Sequence, residues 1–566
     1  MLPIQKSIAL LYIIFFALQA TAQSTYYPTN HQINNQIDRY ELQLGRLQSS
    51  VFTTMKPYRR VDVAKLIEDI DETPTSLTRI DYANRNSILL DNREWTLTAE
   101  QHSKKKFFRH FYDYPAEFFS IDAPDFILKI NPIIDIRGGY TLGDASIDTI
   151  KNWRNKIQFT NGRGIEMRGA IGKKIGFYTR IVEYQERFAF YLNNYTTTYK
   201  AMQGGSRFVP FKQGGYDYRD SRGYLTFSPI KHVQLVFGQD KNFIGDGYRS
   251  LILSDNAAPY TFLKLQTKVW KLEYTNLFTK FVSEYNVGRD QLVAIKYGAF
   301  HFLNFNINKH INVGLFESVI FQRLQFDISY MNTIIFYRAV EHDLGSPDNV
   351  MLGGTFKIIP RKNFLIYGQG VVDDWKFFDL IKSTGWWGNR LAGQIGIKCV
   401  DLININNLDV QVEVNVVKPY TYAHYDSISN YSHYNQPLAH PYGANFFETF
   451  FNINYAFHKD ATINWKFDYI HRGYSDVNNM GENIFTPLNY GVPMYVPNLY
   501  NNTVSQGFYQ ERIYTNQVQI IYQPLQNLFF DISTLNQIIL GNGRNYNKWF
   551  VSMGMRLNIF DKNTLY

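Results

Sequence analysis

From about Phe126 to Phe560, polar and apolar side chains alternate with a period of two. The last segment shows it clearly: Val551, Met553, Met555, Leu557 and Ile559 interleave with Ser552, Gly554, Arg556 and Asn558. Val410, Val412, Val414 and Val416 alternate with Gln411, Glu413 and Asn415, and Trp270, Leu272 and Tyr274 with Lys271, Glu273 and Thr275. Successive side chains of a strand point to opposite faces, so each segment carries one apolar and one polar face. That pattern suits a half-buried soluble sheet or a membrane barrel.

The links separate the two. Short connections fall at Gly172-Lys173-Lys174, Ser228-Pro229-Ile230, Pro360-Arg361-Lys362, Asn406-Asn407, His458-Lys459-Asp460 and Pro524-Leu525-Gln526. Long ones occupy 191–221, 239–259, 321–349, 374–391, 419–446 and 472–512. A multi-domain sandwich gives no reason for links that alternate in length. A bacterial outer-membrane barrel does, with short periplasmic turns and long outside loops, and closure removes every edge strand. The expected fold is therefore an all-β transmembrane barrel of about 18 antiparallel strands.

Ahead of the barrel the period changes. Ile33, Ile37, Tyr40, Leu44 and Leu47 line one helical face, and Val63, Leu66, Ile67 and Ile70 predict a second helix between Pro57 and Pro74. Further upstream, Lys6, an apolar run from Ile8 to Leu18 and Ala20-Thr21-Ala22 read as a cleaved secretory signal. The expected organisation is a signal peptide over 1–22, a small periplasmic helical bundle over 23–110, and an outer-membrane barrel over 111–566. The run Lys104-Lys105-Lys106 reads as a solvated linker.

Composition excludes several classes. Aromatic content of 17% rules out a disordered chain, and the single Cys399 rules out a disulfide scaffold. Catalytic signatures such as H-E-x-x-H, G-x-S-x-G and the Walker loop are absent from the sequence, so no enzyme is expected. Glu341-His342-Asp343 reads as a solvated loop, and the twelve His lack ligand spacing, so neither a metal nor a cofactor is expected.

The long loops hold sugar-binding residue types. Pyranose C–H faces stack on aromatic rings, while sugar hydroxyls suit Asn, Asp and Arg. Tyr420, Tyr422, His424, Tyr425, Tyr431, His433 and Tyr434 supply these densely, and Trp375, Trp386, Trp387 and Arg390 form a second group. A net charge of +9 suits an anionic polymer, and basic lumen pairs explain it equally well.

Gly238 to Pro259 resembles the signature of the Wzi capsule-assembly family, through Gly245 and Gly247, Ser250 to Ser254 (Ser-Leu-Ile-Leu-Ser), and Asn256, Ala257 and Pro259. The stretch Tyr434 to Phe446 looks like that family's gliding-motility-associated, RemB-like branch. The resemblance implies a lectin-like outer-membrane barrel, with periplasmic helices and extracellular loops, that binds or organises capsular or exopolysaccharide without catalysis. Two roles are open for Gly245, Gly247, Ser250, Ser254, Asn256 and Pro259: packing a lumen plug, or touching ligand. The alternative function is a structural component of gliding-motility or secretion machinery acting through envelope proteins. A diffusion porin is a third reading. Expected partners are surface polysaccharide, outer-membrane lipid and envelope proteins, not nucleic acid.

Overall fold

The computed structural model describes residues 24–29, 32–48, 51–71, 77–96, 112, 114–143, 156–212, 214–283, 293–334, 336–345, 348–374, 386–426, 428–474, 479–488, 503–541 and 545–560. The expected signal peptide, the triple-lysine run and Trp375 lie outside them.

Eighteen antiparallel strands close into a barrel. In chain order they are β1 (Phe126–Gly143), β2 (Ile157–Ile171), β3 (Ile175–Arg187), β4 (Gly215–Ile230), β5 (Val233–Asp240), β6 (Tyr260–Val269), β7 (Leu272–Val282), β8 (Ile295–Asn306) and β9 (Ile311–Phe321). There follow β10 (Asn349–Arg361), β11 (Phe364–Asp374), β12 (Arg390–Cys399), β13 (Leu408–Val417), β14 (Phe446–His458), β15 (Ala461–Tyr474), β16 (Tyr509–Leu525), β17 (Leu528–Gly541) and β18 (Tyr546–Leu557). Closure is made by β18 on β1, from Lys548 opposite Gly143 to Leu557 opposite Ile134. Two details depart from the alternation. Strand β4 begins at Gly215 rather than near residue 222, and the 542–545 link is short although it lies at the long-loop end.

The barrel is inside-out relative to a soluble protein. On β13, Gln411, Glu413 and Asn415 are buried while Val410, Val412 and Val414 are only half-buried. On β17, Asp531 is 5% exposed and its neighbour Ile532 is 57% exposed. Leu225, Phe237, Leu315, Ile395 and Met553 face outward in the same way, with Trp270 near the short-turn end and Trp549 near the other. An apolar outer band ending in aromatics, around a polar lumen, is the distribution a lipid environment selects. No helix among the described residues is long and apolar enough to cross a membrane.

Helices α1 (Ile33–Leu44), α2 (Arg60–Asp71) and α3 (Arg79–Asp91) share one core containing Ile37, Tyr40, Val63, Leu66, Ile67 and Leu89. Helix α1 stops at Gly45, whose left-handed conformation (φ +65°) donates back to Leu42 O. Apolar spacing did not predict α3, which buries few apolar side chains, but its start is written in the Thr78–Asp81 capping box. The helices dock on the short-turn end. Arg39 of α1 reaches Asp401 (2.7 Å) and Asp409 (2.5 Å) as well as Asp81 (2.8 Å), and Leu47 N–H donates to Lys309 O (2.8 Å).

Two long links do not project freely. The 188–214 link contains α4 (Phe190–Tyr199). The 322–348 link folds over the outward face of β7 to β9: Tyr274 Oη donates to Thr333 O (2.6 Å), and Arg338 N–H donates to Glu317 Oε1 (3.1 Å). Its helix α5 (Tyr337–Leu344) carries Glu341-His342-Asp343, with His342 and Asp343 exposed.

Candidate binding cavity at the long-loop end

The 241–259 link runs into the lumen, where it meets the N-terminal segment coming from the opposite end. Met55 and Lys56 pair as a two-residue strand with Ile244 and Phe243. Gly245 N–H donates to Thr54 O (2.7 Å), and Lys56 Nζ donates to Gly245 O (2.7 Å). Lys357 on β10 ties the two segments together through Glu41 (2.5 Å) and Asp246 (3.1 Å). Burial works against the charged form of Asp246, but the ammonium groups of Lys357, Lys56 and Lys398 outweigh it and hold the carboxyl below its usual range. Burial alone dominates at Lys56, whose ammonium is pushed down to about 8.

The signature residues are the joints of this link. A Cβ on Gly245 (φ +144°) would lie 2.0 Å from Gln369 Nε2, and one on Gly247 would lie 2.5 Å from Glu413 Oε2. Glu413 accepts from the N–H groups of Tyr248 (2.8 Å) and Arg249 (3.2 Å), so the lumen wall grips the backbone here. Ser250 Oγ donates to Ile244 O and accepts from the N–H groups of Ile252 (3.1 Å) and Leu253 (3.2 Å). Ser254 Oγ donates to Ala439 O, Asn256 Nδ2 to Pro437 O (3.0 Å), and Pro259 O lies 3.4 Å from His433 Nε2.

The aromatic loop is packed on that link. Tyr422 Oη donates to Leu251 O and Tyr431 Oη to Ile252 O, both at 2.7 Å, and the two rings stack at 5.8 Å. Tyr420, Tyr422, Tyr431, His424 and His433 are buried. His433 Nδ1 accepts from Val282 N–H (2.9 Å), which places the ring proton on Nε2 toward Pro259 O. Burial pushes His433 down to about 3 and His424 to about 4, so both are neutral. Trp387 and Arg390 are buried too, Arg390 beside Asp373 (3.3 Å). Of the expected sugar-facing residues, Tyr425 is exposed, and Trp386 and Tyr434 are half-buried. Tyr425 is therefore the most accessible of these described rings, while Tyr420, Tyr422, Tyr431 and Trp387 belong to the core of the plug.

The open space lies elsewhere. A cavity of about 460 Å³ sits beside the plug, between the 202–209 segment, the outer half of β4 and the signature link. Phe208, Tyr218 and Tyr248 supply rings, and Ser254 and Asn256 supply polar edges. Arg207, Arg219, Arg222 and Lys241 stand among Glu183, Asp217, Asp220 and Asp255. Several of these are fixed in pairs: Arg222 with Asp220 (3.0 Å) and Asp240 (3.3 Å), and Arg219 with Glu183 (2.7 Å). Tyr218 is held by stacking on Tyr184 (4.9 Å). Gln436 closes the wall, accepting from Gly204 N–H (2.7 Å) and donating to Gly205 O (2.8 Å). Sequence reading missed this wall; the Gly204-Gly205 pair between Met202 and Phe208 was its one local signal. Rings beside fixed donors and acceptors can stack on a sugar face while bonding its hydroxyls, and no cluster of possible metal ligands occurs among the described residues.

No family model and no curated protein matches the sequence. Among solved structures, the chain is similar to Wzi, an outer-membrane protein involved in group 1 capsule assembly in Escherichia coli and described as a carbohydrate-binding β-barrel. The TM-score is 0.53 at 11% identity, covering 94% of this chain and 100% of that one. Acinetobacter baumannii OccAB2 (TM-score 0.41, 10% identity, 75% and 97% covered) and Pseudomonas aeruginosa OccK9 (0.40, 11%, 76% and 98%) resemble it less, at a level that bears no argument. The likeness to Wzi is one of fold.

Proposed function

We propose that this is a non-catalytic outer-membrane protein that binds or organises surface polysaccharide, with the long loops outside and the helices in the periplasm. The observation that carries the reading is the 460 Å³ cavity at the long-loop end, where rings and fixed charged pairs converge over a rigid floor. The shared fold with a carbohydrate-binding barrel supports it. Affinity at one cavity is modest, and retention of a long polymer comes from many copies engaging one chain.

The test is a titration of the purified protein with oligosaccharides from the cell's own surface polymer, paired with cell-bound against released polymer in a deletion strain. Arg207→Ala and Phe208→Ala should weaken binding and release polymer at normal membrane levels. Unchanged retention with impaired surface movement or secretion would instead favour a machine component acting through protein partners.

A further inference from the structure

The lumen is filled unevenly. On the β5 to β12 side, Leu251, Ile252 and Leu253 of the signature link sit in an apolar core with Phe262, Phe300, Phe316 and Val371. On the β12 to β16 side, a second cavity of about 140 Å³ runs from Asn34 and Asp38 at the short-turn end, past Gln411, Asn452 and Gln519, to Tyr248 and Asp255. Most of the residues that line it are polar, with Phe243, Tyr248 and Ile521 among them. Tyr248, Phe243 and Asp255 also line the outer cavity, so these three side chains form the partition between the two spaces. A third cavity of about 110 Å³, bounded by Arg137, Gln158 and Glu186 toward the long-loop end, shares Lys466 and Gln519 with the second. Polar spaces of this size hold water.

Tyr248 and Lys466 meet where the three spaces adjoin. The Tyr248 ring lies flat on Phe450 (4.1 Å between centroids), and Lys466 Nζ sits 5.3 Å from that ring and 3.4 Å from its hydroxyl. Among the described residues no carboxylate pairs with Lys466, whereas Lys398 in the same cavity is matched by Asp38 (2.5 Å) and Arg556 by Asp531. The junction thus holds a cation with no carboxylate among the described residues in an ion pair with it, next to the partition of Tyr248, Phe243 and Asp255.

We propose that the barrel carries a narrow hydrophilic passage for small inorganic anions, running from the long-loop end to the helices, with the Tyr248 ring as its constriction and Lys466 setting its selectivity. The Tyr248 ring, with Phe243 and Asp255 beside it, separates the outer cavity from the inner one. A cationic side chain at a pore's narrow point raises local anion concentration and excludes cations. The passage does not depend on polysaccharide binding.

The full chain, reconstituted in planar bilayers under a potassium chloride gradient, tests this. Small unit steps with a reversal potential displaced toward chloride are expected. Tyr248→Ala should enlarge the step, and Lys466→Glu should shift the reversal potential toward potassium. Heat-modified gel migration checks that each variant is folded, and Tyr248→Leu serves if the alanine variant is not. Silent membranes for both the parent chain and a folded Tyr248 variant would overturn the proposal. So would steps whose size and selectivity ignore both substitutions, since the ions would then take another route.

Discussion

Tyr422 and Leu251, far apart in the chain, meet in the lumen where the phenol donates to the backbone carbonyl at 2.7 Å. Tyr422 holds this place in a left-handed conformation (φ +72°), with its own N–H donating to Asp373 Oδ2 (2.8 Å). A bulky residue stays in that region only when its surroundings fix it, and both bonds do so here. With Tyr431 on Ile252, the pair turns two outer loops into one plug.

Removing one hydroxyl should loosen that plug. Tyr422→Phe or Tyr431→Phe strands a buried carbonyl, at a cost of about 1–3 kcal/mol. Hydrogen exchange at residues 250–254 should rise in each variant; unchanged protection would mean that packing alone holds the link.

Gly247→Ala should disrupt the floor of the cavity, because the new methyl would enter the space of Glu413 Oε2 and of Arg249 O at 2.6 Å. Overpacking of this kind costs about 1–3 kcal/mol. Gly370→Ala, where nothing lies within 4 Å of the added carbon, is the control. Thermal midpoints compared side by side decide it.

Lys357→Met leaves Glu41 and Asp246 buried without their shared cation. Breaking a buried pair from one side costs about 3–5 kcal/mol. Limited proteolysis should then cut within 46–56 before the barrel is attacked, and resistance equal to the parent would show that the helices dock independently of this contact.

The plug should weaken in acid. His433 and His424 are held near 3 and 4 against an ordinary value of 6.5, so the folded form keeps them neutral while the unfolded chain takes up protons. Their contribution is complete above about pH 6.5 and drains away as pH falls toward 4 and 3. Protease resistance of residues 418–446 between pH 7.5 and 4 reads this out, and His433→Gln should flatten the profile.

Much of the fold is legible in the chain itself. Alternation such as Val410 to Val416 fixes which face of each strand meets lipid, because a strand's period of two leaves no choice once one face is apolar. The Gly245 and Gly247 positions likewise announce close backbone contact. What the sequence could not show is the partner in that contact. A dense run of Tyr and His has the same composition whether it stacks on sugar or fills a lumen, and only the register that brings Tyr422 and Tyr431 onto Leu251 and Ile252 decides that they are inside. The cavity was hidden for the same reason. Its walls come from β4, from residues 202–209 and from the signature link, segments that local patterning cannot bring together; long-range closure of the barrel does.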